Sequence, residues 1–227
     1  CFVFSGIFYR KKMEGYGAYF FSNEAISAIW LAPKGKKTYY YAHSIARHLF
    51  DQYEQYLAKV PKFLKPLYKI TANVLRRIYK AELQKVWTIF VNSQKNKERM
   101  KEWIGRDDAI VLSPPVDTKK FKKYDENTLL QMFAIEWITW YYKDYYISFS
   151  RLTHAKRIDV IIEAFKEMPD RKLLIIYGRN DPQRAEFFAL AEWCQNIQFR
   201  ILTDNEHLPY IIQGALATIA VSKDEDF

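Results

Sequence analysis

The stretch Tyr145–Phe165 constrains the fold of this chain more than any other, because it predicts a strand, a polar loop and a helix in direct succession. Tyr145–Ser150 is a β-branched and aromatic run of strand length. Ile158–Phe165 carries isoleucine and phenylalanine at the spacing of one helix face. A strand that leads into a helix through a short loop is the building unit of parallel sheets with crossover helices. The stretch therefore predicts an α/β fold.

The polar loop of this unit has the residues of an anion site, namely Arg151 and Lys156. A loop between a buried strand and a helix brings backbone N–H groups and the positive end of the helix dipole to the carboxyl edge of the sheet. A guanidinium binds two oxygens in a fixed fork, and an ammonium acts as a mobile point charge, so the pair suits a diphosphate. Both residues are also common in solvated loops, so the pair alone leaves that alternative open.

Strand-like and helix-like runs alternate along the rest of the chain as well. In the first half they are, in order, Cys1–Ser5, Asn23–Leu31, Lys37–Ala42, Arg47–Val86, Trp87–Val91, Ser93–Trp103 and Ala109–Leu112. In the second half, after the first strand, they are Ile158–Met168, Lys172–Tyr177, Gln183–Trp193, Ile197–Leu202, Glu206–Gly214 and Ala217–Val221. This alternation predicts mainly parallel sheets with crossover helices.

Two adjacent prolines interrupt the alternation near the middle of the chain, in the segment SPPVDT at residues 113–118. Proline is excluded from helix interiors and from central strands, so the segment marks a break between folded parts. We predict two Rossmann-like domains that face each other across a cleft, with a ligand bound in that cleft. The domains comprise residues 1–116 and 145–227, and a connector at residues 117–144 joins them.

Charge is distributed unequally between the two halves of this 227-residue chain, whose net charge is +9. Residues 1–124 hold 24 Lys or Arg against 10 Asp or Glu, whereas residues 125–227 hold 11 against 16. The basic half should favour polyanions, which include an anionic membrane surface, a phosphorylated acceptor and nucleic acid. The two cysteines form neither a metal-binding spacing nor a disulfide framework, so a reducing compartment is expected.

Two segments depart from ordinary packing patterns. Lys59–Val86 carries eight basic residues and one acid, Glu82, interleaved with apolar side chains. Two interpretations are open: an interfacial helix on anionic lipid, or a helix with a solvated basic face. Leu129–Tyr142 is nearly all apolar, with Glu136 its only charge, and is too short to span a membrane. We expect a buried connector helix there, with a membrane-dipping element as the alternative.

Several segments, taken in their order along the chain, resemble the family 4 retaining glycosyltransferases of the GT-B fold. They are Tyr39–Tyr53, Phe90–Met100, Ala109–Phe121, Ser148–Phe165, Leu173–Pro182, Asn196–Ile212 and Ala217–Phe227. The family's glycine-rich loop after the first strand and the second Glu of its two-glutamate motif have no counterpart in this sequence. The resemblance therefore implies a GT-B fold in which both domains are incomplete.

The resemblance assigns roles in the second domain. It implies that Arg151 and Lys156 bind the diphosphate of a sugar donor, which agrees with the anion site expected from the residue types. Glu225 matches the first Glu of the family motif, which contacts the donor sugar; taken alone, it would be a solvated acid. Gly178 ends a predicted buried strand, where the missing side chain would let the nucleotide approach closely.

The resemblance also assigns roles in the first domain. His43 follows a strand of tyrosines and matches a histidine that faces the donor sugar, although an isolated histidine in this setting is more often structural. Arg47 and His48 lie on the next turn and are weaker candidates for the acceptor side. Neither paired carboxylates nor a His and Cys cluster at metal spacing is present in the sequence, so no metal site is predicted.

The function implied by the resemblance is retaining transfer of a sugar from a nucleotide diphosphate sugar to a lipid-linked or polysaccharide acceptor. The closest likeness is to bacterial mannosyltransferases, which implies GDP-mannose as substrate, no cofactor and a cytoplasmic enzyme peripheral to the inner face of the membrane. The alternative class is a basic, aromatic-rich module that binds nucleic acid or membrane. That class explains neither the loop of Arg151 and Lys156 nor Glu225. A non-catalytic homologue is a further alternative.

Overall fold

The computed structural model describes most of the chain, in two compact units. The described residues are 15–22, 29, 32–138, 140, 143–181, 183–222 and 225. The first unit ends at Pro115, and the second is Val116–Glu225. The predicted strand Cys1–Ser5 and most of the predicted element Asn23–Leu31 lie outside the described residues.

The first unit contains a parallel four-stranded sheet in the order β1-β2-β3-β4. The strands are β1 (Ala18–Ser22), β2 (Lys37–Ala42), β3 (Thr88–Val91) and β4 (Ile110–Val111). The helices are α1 (Tyr53–Lys59), α2 (Lys65–Gln84) and α3 (Gln94–Arg99), and α3 continues into a wider turn at Met100–Ile104. The core lies between sheet and helices and includes the fully buried side chains of Tyr40, Ile89 and Leu83.

Two predictions for the first unit need correction. Strand β1 was not predicted, because its apolar run is short and directly follows Gly17. The helix predicted over Arg47–Val86 is divided: α1 ends before the extended pair of Val60 and Pro61, and α2 follows a short 3-10 turn at Lys62–Leu64. Proline lacks an N–H group and pushes the preceding residue toward extended backbone, so the helix breaks there.

The second unit contains another parallel sheet, in the order β7-β6-β5-β8. The strands are β5 (Tyr146–Phe149), β6 (Leu173–Ile176), β7 (Ile197–Arg200) and β8 (Ala217–Thr218). The helices are α4 (Glu126–Ile135), α5 (Ile158–Lys166), α6 (Arg184–Leu190) and α7 (Leu208–Gly214). The chain moves outward from β5 to β7 and then returns to the other side of β5. This reversal is the topological switch point at which open α/β sheets bind ligands.

Apolar layers cover both faces of the second sheet. The side chains of β6 alternate between them: Leu173 and Ile175 join the layer of α5 and α6, while Leu174 and Ile176 join the layer of α4 and α7. All four are buried, as expected for a central strand of a parallel sheet. The parallel α/β architecture predicted from the alternation of strands and helices is confirmed.

The predicted connector helix is shorter than expected and only half buried. Helix α4 buries Leu129 and Phe133, whereas Leu130 and Ile135 are exposed. The predicted connector helix is therefore buried on its inner face and exposed on its outer face. In the part of the chain that the structure describes, no helix is both long and apolar enough to cross a membrane.

Candidate functional site

The loop that leaves β5 at the switch point is anchored in the core while presenting a cation. The loop residue Leu152 is fully buried among the side chains of α5, and the N–H of Ser150 donates to the carbonyl of Ile176 (3.2 Å). Between these two residues the side chain of Arg151 is exposed. No described residue forms a hydrogen bond or an ion pair with its guanidinium. Arg151 is thus a positioned cation that is available to a ligand.

Lys156 and Glu225 meet across the switch point. Lys156 ends the loop after β5, at a short 3-10 turn that leads into α5, and Glu225 follows β8. The ammonium Nζ of Lys156 forms an ion pair and hydrogen bond with Oε1 of Glu225, and both side chains are partly exposed. The two residues come from strands that are adjacent in the sheet but about 70 residues apart in the chain. The structure therefore brings together two of the site residues predicted from the sequence.

The loop after β6 braces the loop after β5. Oδ2 of the buried Asp181 accepts hydrogen bonds from the backbone N–H of Leu152 (2.9 Å) and of Gly178 (3.0 Å). Oε1 of Gln183 accepts another from the N–H of His154 (3.0 Å). These bonds hold the backbone that directly follows Arg151, so the position of the cation depends on a neighbouring loop.

Sequence reasoning missed Asp181 and Gln183. An Asp three residues after a strand-ending glycine is a pattern typical of a side chain that bonds to its own turn, and it could have suggested the brace. The protein's own packing does not require a glycine at position 178, since an added Cβ there would lie at an ordinary 3.4 Å from Oδ1 of Asp181. The prediction that Gly178 lies close to a nucleotide stays a prediction.

In the first unit, His43 lies at the carboxyl edge of the sheet, directly after β2. Its ring is exposed, packs edge-on to Tyr41 with 4.8 Å between ring centroids, and places Nε2 3.2 Å from Oγ of Ser22. Its backbone carbonyl accepts a hydrogen bond from Nδ2 of Asn96 (2.8 Å), a residue with no exposed surface. A buried amide thus holds the backbone of His43 at the sheet edge.

Asn96 is a positioning residue that sequence reasoning also missed. Its side chain donates to Oδ1 of Asn92 (2.6 Å) and accepts from Arg99 (3.2 Å), so it is hydrogen-bonded on both sides. The pair of asparagines four residues apart, at the end of a strand and on the following helix, was the available signal. Ser93 caps helix α3, because its Oγ accepts a hydrogen bond from the N–H of Asn96 (3.2 Å).

The two weaker candidates of the first unit differ in their surroundings. Nε of Arg47 donates a hydrogen bond to Oδ2 of Asp51 (3.0 Å), and the same carboxylate oxygen forms an ion pair with Nε of Arg99 (3.3 Å). Arg47 is therefore held by an acid of its own unit. His48 is exposed, with its ring 5.9 Å from that of Tyr56. Among the described residues, no group of three or more His, Cys, Asp or Glu side chains is arranged to hold a metal ion.

Comparison of sequences gives no relative, since no protein-family model and no curated protein matches the chain. Comparison of structures gives clear matches. A sucrose-phosphate synthase from Thermosynechococcus elongatus superposes on 100% of this chain with a TM-score of 0.73 and 18% identity. A glycosyltransferase from Rickettsia africae covers 97% of it (TM-score 0.70, 14% identity), and HepE of Anabaena in complex with UDP-glucose covers 98% (TM-score 0.70, 13% identity).

The fold is GT-B. The two parallel sheets correspond to its two Rossmann-like halves, as the resemblance in sequence implied. The chain spans little more than half the length of these solved structures, since it covers 55%, 55% and 58% of them. At these identities the likeness concerns the fold.

Proposed function

We propose that this chain acts as a retaining glycosyltransferase. It would move a sugar, with mannose favoured, from a nucleotide diphosphate sugar to a hydroxyl of a lipid-linked or polysaccharide acceptor in surface glycan biosynthesis. The observation that carries the proposal is the cluster at the switch point of the second sheet. There an exposed Arg151 without a described partner lies in the same short loop as Lys156, which contacts Glu225.

The cations at the switch point suit the charge that develops during sugar transfer. As the bond between sugar and phosphate breaks, negative charge grows on the diphosphate, and cations held in place stabilise that state more than the ground state. The planar guanidinium of Arg151 would bind two phosphate oxygens at once, and the flexible side chain of Lys156 would let its ammonium approach the oxygen that gains charge. The departing phosphate would take the proton of the acceptor hydroxyl on the same face of the sugar, so no separate base is named.

The carboxylate of Glu225 and the imidazole of His43 have the chemistry to contact the sugar. An ionised carboxylate accepts hydrogen bonds only, which suits sugar hydroxyl donors. In the structure this carboxylate is bound to Lys156, so a diphosphate would share or take over the ammonium. We assign His43 to the donor sugar as well, on the resemblance in sequence and on its exposed position at the edge of the first sheet.

The similar structures support the class of donor. The Anabaena protein HepE is described in complex with UDP-glucose, and the other two are named as a synthase of sucrose phosphate and as a glycosyltransferase. We favour GDP-mannose over a UDP-sugar because of the resemblance to bacterial mannosyltransferases. We also propose that no metal or cofactor takes part, and that the enzyme works in the cytoplasm, peripheral to the inner face of the membrane.

Calorimetric titration with GDP, UDP and ADP at moderate salt tests the donor site. Arg151→Ala and Lys156→Ala should each weaken nucleoside diphosphate binding about tenfold to a hundredfold, because a hydrogen bond to a charged group contributes about 1.5–3 kcal/mol. Glu225→Gln should keep or raise this affinity, since it releases Lys156. Arg171→Ala and Lys166→Ala, which remove cations of the same unit that pair with acids elsewhere, serve as controls with unchanged affinity.

Unchanged affinity in both Arg151→Ala and Lys156→Ala would overturn the assignment of the site. Binding selective for GDP would support mannose transfer, whereas binding selective for UDP would keep the donor class and reject GDP-mannose. Binding of RNA with no response to any nucleoside diphosphate would reject the enzyme in favour of the nucleic-acid module.

A further inference from the structure

Helix α2 and the turn before it have an apolar face that points away from the core. The helix packs on the first unit through Ala72, Tyr79 and Leu83, which are all buried. The opposite side carries five large apolar side chains, each more than half exposed, and Phe63 reaches 80% exposure. They are Phe63, Leu67, Ile70, Val74 and Ile78, and we refer to them as the outer face of α2. Their spacing of three and four residues forms one continuous stripe along the helix.

Exposed cations border this stripe. The outer face is accompanied by Lys62, Lys69, Arg77 and Lys80, which are exposed and have no acidic partner among the described residues. The one acid between positions 59 and 86 is Glu82, which is buried and bound to Lys85 (2.6 Å). The helix therefore combines exposed apolar surface with exposed positive charge.

We propose that the outer face of α2 docks on an anionic membrane surface. A helix of this kind lies in the plane of the interface, with its apolar stripe at the boundary of headgroups and acyl chains. Its bordering lysines and arginines then lie at the level of the lipid phosphates, where each adds attraction to a negatively charged leaflet. Docking of this face gives the peripheral location proposed above a structural basis.

The same observations disfavour two other occupants. A second copy of the chain would bring the cationic border of one helix against the identical border of the other, because a two-fold interface uses the same patch twice. Nucleic acid is held by aromatic side chains that stack on bases between cations. Four of the five outermost side chains here are aliphatic and offer no ring for stacking. An anionic bilayer can contact both features, since its acyl chains bind the apolar stripe and its headgroups bind the neighbouring cations.

Co-sedimentation of the whole chain with lipid vesicles tests the docking face. We expect binding to vesicles of phosphatidylcholine with 30% phosphatidylglycerol, and little binding to phosphatidylcholine alone. Leu67→Glu combined with Ile70→Glu should weaken binding at least about tenfold, because it places charge in the apolar stripe. Lys62→Gln combined with Lys69→Gln should weaken it roughly fivefold for each lysine removed. This measurement needs neither donor nor acceptor, so it succeeds or fails independently of sugar transfer.

Matched variants on other surfaces serve as controls. Leu130→Glu changes an apolar side chain of similar exposure on α4, and Lys119→Gln with Lys123→Gln removes two exposed lysines of the second unit. Both should bind vesicles as the unchanged chain does, and circular dichroism should show the same helix content for all variants. Vesicle binding that Leu67→Glu with Ile70→Glu leaves unchanged would overturn the proposal. Binding of the chain to RNA but not to vesicles would also overturn it. So would a dimer of the chain that dissociates when the outer face of α2 is substituted.

Discussion

Replacing Asp181 by alanine removes the carboxylate oxygen that accepts hydrogen bonds from the N–H groups of Leu152 and Gly178. Leu152 is fully buried, so its N–H would be left without a partner, at a cost of about 1–3 kcal/mol. Gly178 is exposed, so water can replace the oxygen there at a net loss of about 0.5–1.5 kcal/mol. We therefore expect the free energy of unfolding of the second unit to fall by about 2–4 kcal/mol.

Urea unfolding followed by circular dichroism measures this loss, and two further variants sharpen it. Asp181→Asn keeps an oxygen that can accept both bonds, so it should lose less than about 1 kcal/mol. Asp170→Ala removes a carboxylate of the same unit whose side chain is 79% exposed, and it should change stability by less than about 0.5 kcal/mol. The alanine variant should also bind nucleoside diphosphates more weakly, because Arg151 is adjacent to the released Leu152.

Three outcomes would refute this reasoning. An Asp181→Ala chain as stable as the Asp170→Ala control would show that the two N–H groups find other partners. Equal losses in Asp181→Asn and Asp181→Ala would show that the negative charge matters rather than the accepting oxygen. Full stability with reduced nucleotide affinity would place Asp181 in direct contact with the ligand instead of in a supporting position.

Two further predictions concern stability. Gly214→Ala would place a Cβ within 2.9 Å of Cε1 of the buried Phe133 ring and closer still to its Cζ. Thermal unfolding should therefore show that the free energy of unfolding falls by about 1–3 kcal/mol. The control Gly17→Ala places its Cβ in open space, so it should be nearly neutral. Burial raises the pKa of Tyr40 and of Tyr145 well above the ordinary value of 10, so the unfolded chain releases these protons first, and stability should fall as the pH rises above about 10. A melting temperature that is as alkali-sensitive in Tyr40→Phe with Tyr145→Phe as in the unchanged chain would contradict this.

The strands and helices nearest the candidate site follow from local pattern. A β-branched and aromatic run predicted the strand at Tyr145–Ser150, and the structure has it at Tyr146–Phe149. Apolar residues at helical spacing predicted a helix from Ile158, which is where α5 begins. These patterns work because a helix that packs on one face repeats apolar side chains at its own period, whereas a strand buried on both faces is a short continuous run of apolar and β-branched residues. The loop with Arg151 and Lys156 was predicted because it is the polar interruption between these two apolar segments.

The contacts within the site did not follow from local pattern. Lys156 and Glu225 meet because β8 pairs with β5 rather than with β7, and strand order is a property of the whole sheet. The bond from Leu152 to Asp181 likewise joins residues 29 positions apart, on loops that adjacent strands bring together. Composition likewise left open whether Arg47 binds a ligand or an acid.

The sequence by itself determined that this chain is an α/β protein with a cationic loop between a buried strand and a helix. It also showed the mixture of basic and apolar residues at positions 59–86, but left open whether that mixture faces lipid or solvent. Only the tertiary structure decided which side of α2 is used for packing, and hence that Phe63, Leu67, Ile70, Val74 and Ile78 remain exposed. The physical reason is that periodicity records how a segment alternates, whereas burial depends on which of its faces another segment covers.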